Sequence, residues 1–287
     1  MKKWTKRLLI LAAAMAMCML LGTLVSAAEN AVDLPLDGTE RLYTKPAKTE
    51  EEPDKVGKTL SLVKTYDNYT YQYYRIRITT GYSLLTVSGR TSNNGSLRIQ
   101  LLNKDGYYVN PAGTSSDWRY TNSSRGQVLY YGVKKGYYYI KVYSSTDNYY
   151  LGADESAKGN RAGSTRGASY TLGYNSTVTG VMPCNENWKE ADWYRFYLSS
   201  NSRIRIQLIT KGLGYINVKV YGPGISSNGE RIYTNAMNFS ENTYLYRTLN
   251  GAGQYARPAG WYYIKLERST SRYPRTSCAY WLKWSRY

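Results

Sequence analysis

The sequence predicts an all-β protein: two tandem antiparallel, jelly-roll-like β-sandwiches after a signal peptide and a linker. Three observations predict it. Gly136-Tyr137-Tyr138-Tyr139-Ile140-Lys141-Val142 and Gly260-Trp261-Tyr262-Tyr263-Ile264-Lys265-Leu266 are near-copies of each other. Both alternate with the period of two that half-buried strands show. Strand-like segments recur in the same order in the two halves, and no stretch carries a convincing 3.6-residue period.

The first 27 residues stand outside the fold. Lys2, Lys3, Lys6 and Arg7 precede an apolar run from Leu8 to Val25 that closes on Val25-Ser26-Ala27. A basic start, an apolar middle and a small-residue end read as a secretory signal peptide, which implies a secreted, extracellular or cell-surface address. Residues 28–57 hold Pro35, Pro46, Pro53 and eight acids, and read as an acidic flexible linker.

Unit one is expected over 58–174. Thr59–Val63 is its first strand. Tyr73–Ile78 alternates with Tyr74, Ile76 and Ile78 inward, and Ser83–Val87 follows. Leu97–Leu101 ends at the Asn103-Lys104-Asp105-Gly106 turn. Gln127–Val133 and Gly136–Tyr143 come next. A polar, Gly-rich insertion is read over Ser144–Gly167, and Ser169–Tyr174 closes the unit. Unit two, 175–287, repeats the order: Ser176–Val181, Asp192–Leu198, Arg203–Leu208, Tyr215–Tyr221, Thr243–Leu249, Gly260–Leu266 and Ala279–Trp284.

Composition narrows the chemistry. The chain has no histidine, which removes histidine-based acid–base chemistry, histidine triads and histidine-containing zinc sites. Beyond the signal peptide only Cys184 and Cys278 remain, and in a secreted chain they read as one disulfide closing most of unit two. Two separate buried or reactive thiols are the alternative. The net charge is +18. Residues 56–287 carry all of it, because the four bases of the signal peptide offset the net −4 of residues 28–55. A body this basic is drawn to anionic polymers and surfaces.

The aromatic residues point to binding. The chain has 33 tyrosines and two phenylalanines. Tyrosine suits half-exposed positions, having an apolar ring and a polar tip. The alternation turns Tyr73, Arg75, Arg77, Tyr137, Tyr139 and Lys141 outward in unit one. In unit two the outward set is Trp193, Arg195, Tyr197, Arg203, Arg205, Lys219, Trp261, Tyr263 and Lys265. Interleaved rings and cations suit stacking on sugars and gripping anionic chains. The plainer reading is that tyrosine covers sheet faces well. A secreted address weighs against nucleic acid.

The spacing also resembles a known family. Asp192-x-Tyr194-x-Phe196-x-Leu198, Gly260-x-Tyr262-Tyr263-Ile264-x-Leu266 and Tyr280-x-Leu282 look like the bacterial pre-peptidase C-terminal domain, whose relatives include the collagen-binding modules of clostridial collagenases. Tyr74-x-Ile76-x-Ile78, Gly136-x-Tyr138-Tyr139-Ile140-x-Val142 and Tyr170-x-Leu172 repeat the likeness in unit one. The resemblance implies sandwiches that accompany secreted enzymes and bind matrix or polysaccharide or assist secretion. It also implies a structural hydrogen-bonding role for Asp192. The family's Asp-rich strand is missing: Ser96–Asn103 and Tyr215–Gly222 carry no acid. The nearest approach to a calcium set in the body is Asp147, Asp154 and Glu155 with Asn148, and a solvated loop is the favoured reading there.

The reading is therefore a non-catalytic secreted binder of an extracellular polymer, namely glycan or cell wall first and matrix protein second, with no cofactor. Two alternatives stay open: a secreted hydrolase whose carboxylate pair only the fold assembles, and a spacer or secretion module.

Overall fold

The computed structural model describes residues 32–44, 72–92, 95–104, 119–121, 126–183, 190–213, 216–233, 242–248, 256–268 and 277–286. The expected signal peptide, the strand expected at Thr59–Val63 and Cys184 lie outside the described residues. The described residues form sixteen strands and no helix. These are β1 (Val32–Asp33), β2 (Arg41–Thr44), β3 (Gln72–Thr91), β4 (Leu97–Asn103), β5 (Arg119–Thr121), β6 (Gln127–Ser144), β7 (Asn148–Ala157) and β8 (Tyr170–Thr171). They continue as β9 (Thr177–Met182), β10 (Ala191–Leu198), β11 (Ile204–Leu213), β12 (Ile216–Tyr221), β13 (Glu230–Tyr233), β14 (Asn242–Thr248), β15 (Gly260–Arg268) and β16 (Ser277–Arg286).

Unit one is built on two long strands that run through both layers of a sandwich. β3 and β6 pair from Gln72↔Val142 to Ile78↔Gly136, shift register, and pair again from Tyr82↔Lys134 to Gly89↔Gln127. Such a bulge bends and twists the ribbon, which carries it from one layer into the other. Glu155 holds the bend. Its carboxylate accepts hydrogen bonds from Thr79 N (3.2 Å), Thr80 N (3.1 Å), Thr80 Oγ1 (2.6 Å) and Ser83 Oγ (2.8 Å). Burial alone raises this carboxyl's pKa, but those bonds outweigh it and hold Glu155 below its ordinary value. The first layer joins β5, β4, the second half of β6, the first half of β3, and β1. The second joins the other halves of β6 and β3 with β7 and β2. Alternate residues fill the space between: Tyr74, Ile76 and Ile78, Leu97, Ile99 and Leu101, Tyr138, Ile140 and Val142, Tyr149, Leu151 and Ala153.

Unit two has the same pairing with the long strands cut. β10 and β11 stand for β3, and β15 and β14 for β6. The layers are β13-β12-β15-β10-β8 and β14-β11-β16-β9. The match extends to single atoms. β1 and β8 each run parallel to the strand they join, and Leu34 N and Leu172 N then donate to Arg75 O and Arg195 O. Tyr74 and Tyr149 share a buried hydroxyl contact of 2.6 Å, as do Tyr194 and Tyr280. The hydroxyls of Tyr138 and Tyr262 each donate to a carbonyl four residues back, Lys134 O and Pro258 O. A buried phenol must find such a partner, which is why these positions are tyrosine with a mate. Gly136, within β6, and Gly260, at the start of β15, precede the twin segments with φ of +151° and +142°, where a side chain would be strained.

This equivalence moves the unit boundary. Ser169–Tyr174 does not close unit one. Tyr170 and Thr171 form β8 on the edge of unit two, and Leu172 enters unit two's core. The closing strand of unit one is β7, inside the stretch expected to be a polar insertion. Residues 32–44, expected within a flexible linker, supply β1 and β2, bury Leu34 in unit one and tie Asp33 to Arg75.

The two units are docked through their second layers. Tyr82, Leu84 and Tyr130 of unit one meet Val181, Ala279 and Trp281 of unit two. Ser277 Oγ donates to Gly132 O at 2.9 Å, and Lys211 Nζ lies 4.2 Å from the centroid of the Tyr130 ring. A Cβ on Gly132 would sit 2.6 Å from Cys278 O and 2.7 Å from Met182 O, so only glycine permits this approach.

Candidate binding face

The outward side of unit two's first layer gathers seven of the nine binding residues predicted for that unit. The register sets Trp193, Arg195 and Tyr197 of β10 opposite Lys265, Tyr263 and Trp261 of β15. On the other flank of β15, Lys219 and Tyr221 of β12 face Lys265 and Tyr263. Inward neighbours Tyr194, Phe196, Tyr262 and Ile264 are buried, which fixes the orientation of every alternate side chain.

The rings and cations interleave. Tyr197 and Trp261 lie 5.2 Å apart, and the Arg195 guanidinium is 5.1 Å from the Trp261 ring. Trp193 stacks on Tyr221 at 5.7 Å across β15, with Lys265 Nζ 5.7 Å from Trp193. Arg166 reaches over from the segment before β8, 4.3 Å from Tyr263 and 5.4 Å from Tyr221. Glu267 accepts from Lys265 Nζ at 2.5 Å and Lys219 Nζ at 3.2 Å, relieving the repulsion of two lysines set directly opposite. Burial raises the Glu267 pKa, and the two lysines overcome that and lower it. The groups in contact supply this platform with four cations, one carboxylate and five rings, and Arg231 of β13 stands opposite Lys219 on the same side. Trp261 and Tyr197 are the platform's most exposed rings, at 43% and 52%. Each cation within about 6 Å of a ring gains about 0.5–1 kcal/mol at exposed sites, which steadies the platform.

Unit one presents the same face differently. Tyr73, Arg75 and Arg77 stand opposite Lys141, Tyr139 and Tyr137. Arg77 lies 5.7 Å from the Tyr137 ring, which is 46% exposed. Asp33 neutralises Arg75 through two bonds of 2.7 and 2.9 Å, and the Asp33 carboxyl is held below its usual range by them. Lys141 departs from expectation. It is 3% exposed, beside buried Gln100 and Leu102, and burial lowers its pKa from 10.5 to about 8. The open part of this face is therefore the Tyr137–Arg77 end.

Arg203 and Arg205 are not on either platform. They lie beside and on β11, in unit two's second layer, with Arg205 between Ser285 and Thr248. Alternation alone cannot tell an outer side of one layer from that of the other. The acids proposed for calcium are separated too. Glu155 is committed to the β3 bulge, Asp154 follows the opposite side of β7 and bridges to Asp37, and Asp147 is exposed in the turn before β7. Among the described residues no group of three or more His, Cys, Asp or Glu side chains could hold a metal ion. Asp192 has a structural partner: Tyr280 donates to Asp192 Oδ2 at 2.5 Å and accepts from Tyr194. The expected disulfide rests on Cys184, outside the described residues. Cys278 is a free, fully buried thiol, its pKa raised to about 12 by burial. Arg166 was missed from the sequence because it falls in the stretch read as an insertion, and no local pattern marks it.

The fold and this face define a tandem β-sandwich protein with an aromatic–cation platform on an outer sheet. No protein-family model matches the chain, and no curated protein sequence matches it. Among solved structures it is similar to the pre-peptidase C-terminal domain of the collagenase from Bacillus anthracis, at 19% identity over 40% of this chain and 92% of that one, with a TM-score of 0.28. It is also similar to the ANX2 ectodomain of Arabidopsis thaliana, at 8% identity over 85% of this chain and 88% of that one (TM-score 0.22). A CUB1-EGF-CUB2 fragment of human MASP-1/3 follows, at 6% identity over 76% of this chain and 94% of that one (TM-score 0.21). The pre-peptidase likeness spans less than the two units together.

Proposed function

We propose that this is a secreted, non-catalytic protein that binds an anionic extracellular polysaccharide on the outer platform of unit two. One observation carries the reading: the run Tyr197, Trp261, Arg195, Tyr263, Arg166, Tyr221, Trp193, Lys265, with Lys219 beside it and Glu267 as the one carboxylate among these groups. Half-exposed rings offer flat faces to the C–H faces of sugar rings. Guanidinium groups held beside those rings match carboxylate or phosphate substituents in a fork geometry. The net charge of +18 assists approach from a distance.

The test is retention of the mature chain on polygalacturonate and on neutral dextran at low and high salt. Polygalacturonate binding that weakens with salt, and that Trp261→Ala weakens about tenfold, is the expected outcome. Equal affinity for both polymers, or no loss in the tryptophan variant, would defeat the reading.

A further inference from the structure

We infer that the protein is a cross-linker, its two units holding separate strands of the anionic polysaccharide. This rests on the reading just given.

The geometry that carries it is the docking of the units. Each sandwich has one outer side on its first layer and one on its second. The second-layer sides are spent on each other, through Leu84, Tyr130, Val181, Ala279 and Trp281. The platforms occupy the first-layer sides, so four sheets stack with the two platforms at the far ends. Three inter-sheet spacings of about 10 Å separate them by about 30 Å through protein. One straight polysaccharide strand cannot touch both.

Both ends carry the same device. Tyr137 and Trp261 hold the same place in the repeat, the first residue after Gly136 and Gly260. Each is close to half exposed, at 46% and 43%. Each has an arginine within reach: Arg77 at 5.7 Å from Tyr137, Arg195 at 5.1 Å from Trp261. A ring for the sugar and a guanidinium for its carboxylate are thus present twice, facing apart. The junction is held by packed side chains, a buried hydrogen bond and a glycine that touches the partner unit's backbone, so the ends cannot swing together without breaking it. Linked sites gain avidity on one strand only when both can reach it. Here the geometry directs the second site to a second strand.

The experiment uses the full mature chain with soluble polygalacturonate, read by calorimetry for binding and by static light scattering for network formation. Scattering is expected to rise with protein, peak, and fall at excess protein as each strand saturates. Tyr137→Ala and Trp261→Ala leave the charge unchanged and remove half-exposed rings, so the cores stay intact, which circular dichroism melts would verify. Each single variant is expected to keep weakened binding through its remaining end, about tenfold weaker for Trp261→Ala, and to lose about tenfold in peak scattering. The double variant loses both signals. Binding by the natural chain without a rise in scattering overturns the cross-linking inference and leaves the binding reading standing. Unchanged scattering in both single variants overturns it as well, pointing to bulk charge neutralisation. Absence of binding by the natural chain overturns both.

Discussion

Lys141 gives the sharpest test of the side-chain account. Its amine lies on the outward side of β6, yet it is 3% exposed, 5.8 Å from the Tyr73 ring. Burial lowers its pKa from 10.5 to about 8. That drop corresponds to about 3 kcal/mol against the charged form in the folded state. Below pH 8 the folded and unfolded chains both hold the proton, and the whole penalty is present. Between pH 8 and 10.5 the unfolded chain still binds a proton that the folded chain has released, so stability rises with pH from this group. Above 10.5 the penalty is gone. Lys141→Met keeps the apolar stem and removes the charge together with the amine's contacts, the Tyr73 ring among them, at a loss of about 1 kcal/mol. The variant should therefore be more stable than the natural chain by about 2 kcal/mol at pH 7, with most of that advantage gone by pH 10. Urea titrations at the two pH values read this directly. The buried tyrosines titrate in both proteins and cancel in the difference. A variant less stable at pH 7, or an advantage that does not shrink with pH, would refute the reasoning and show that the amine's contacts outweigh the cost of its burial.

Two further outcomes test the fold. Leu34→Ala removes a buried side chain from the core of unit one and should cost about 2–5 kcal/mol. A thermal melt unchanged by that substitution would return residues 32–44 to the role of a tether. Gly132→Ala places a Cβ 2.6 Å from Cys278 O and should push the units apart, costing about 1–3 kcal/mol. Calorimetry should then resolve two unfolding transitions and small-angle scattering a larger radius; a single transition and an unchanged radius would show that the junction is softer than its packing implies.

The inner sides of the sheets were legible from local sequence. Tyr74, Ile76 and Ile78 are buried as the alternation requires, and so are Tyr138, Ile140 and Val142. The twin strands after Gly136 and Gly260 stand in equivalent places. A period of two is a property of each strand, so it survives whatever the strand packs against. The Tyr-x-Leu pattern was less decisive, because Tyr149-x-Leu151 and Tyr170-x-Leu172 both satisfy it. The tertiary partner separates them: the Tyr149 hydroxyl meets Tyr74 in unit one's core, while Tyr170 runs parallel to β10 in unit two.

The sequence by itself determined the all-β class, the repeat, the inner sides of the strands and the supply of rings and cations. Only the tertiary structure decided that 32–44 and 148–157 complete unit one, and that Arg166 joins the platform while Arg203 and Arg205 do not. It also decided that Lys141 is buried and that the two platforms face apart. The reason is physical. Alternation says which residues share a side, but what covers that side depends on contacts between residues far apart in the chain, and a single strand carries no record of them.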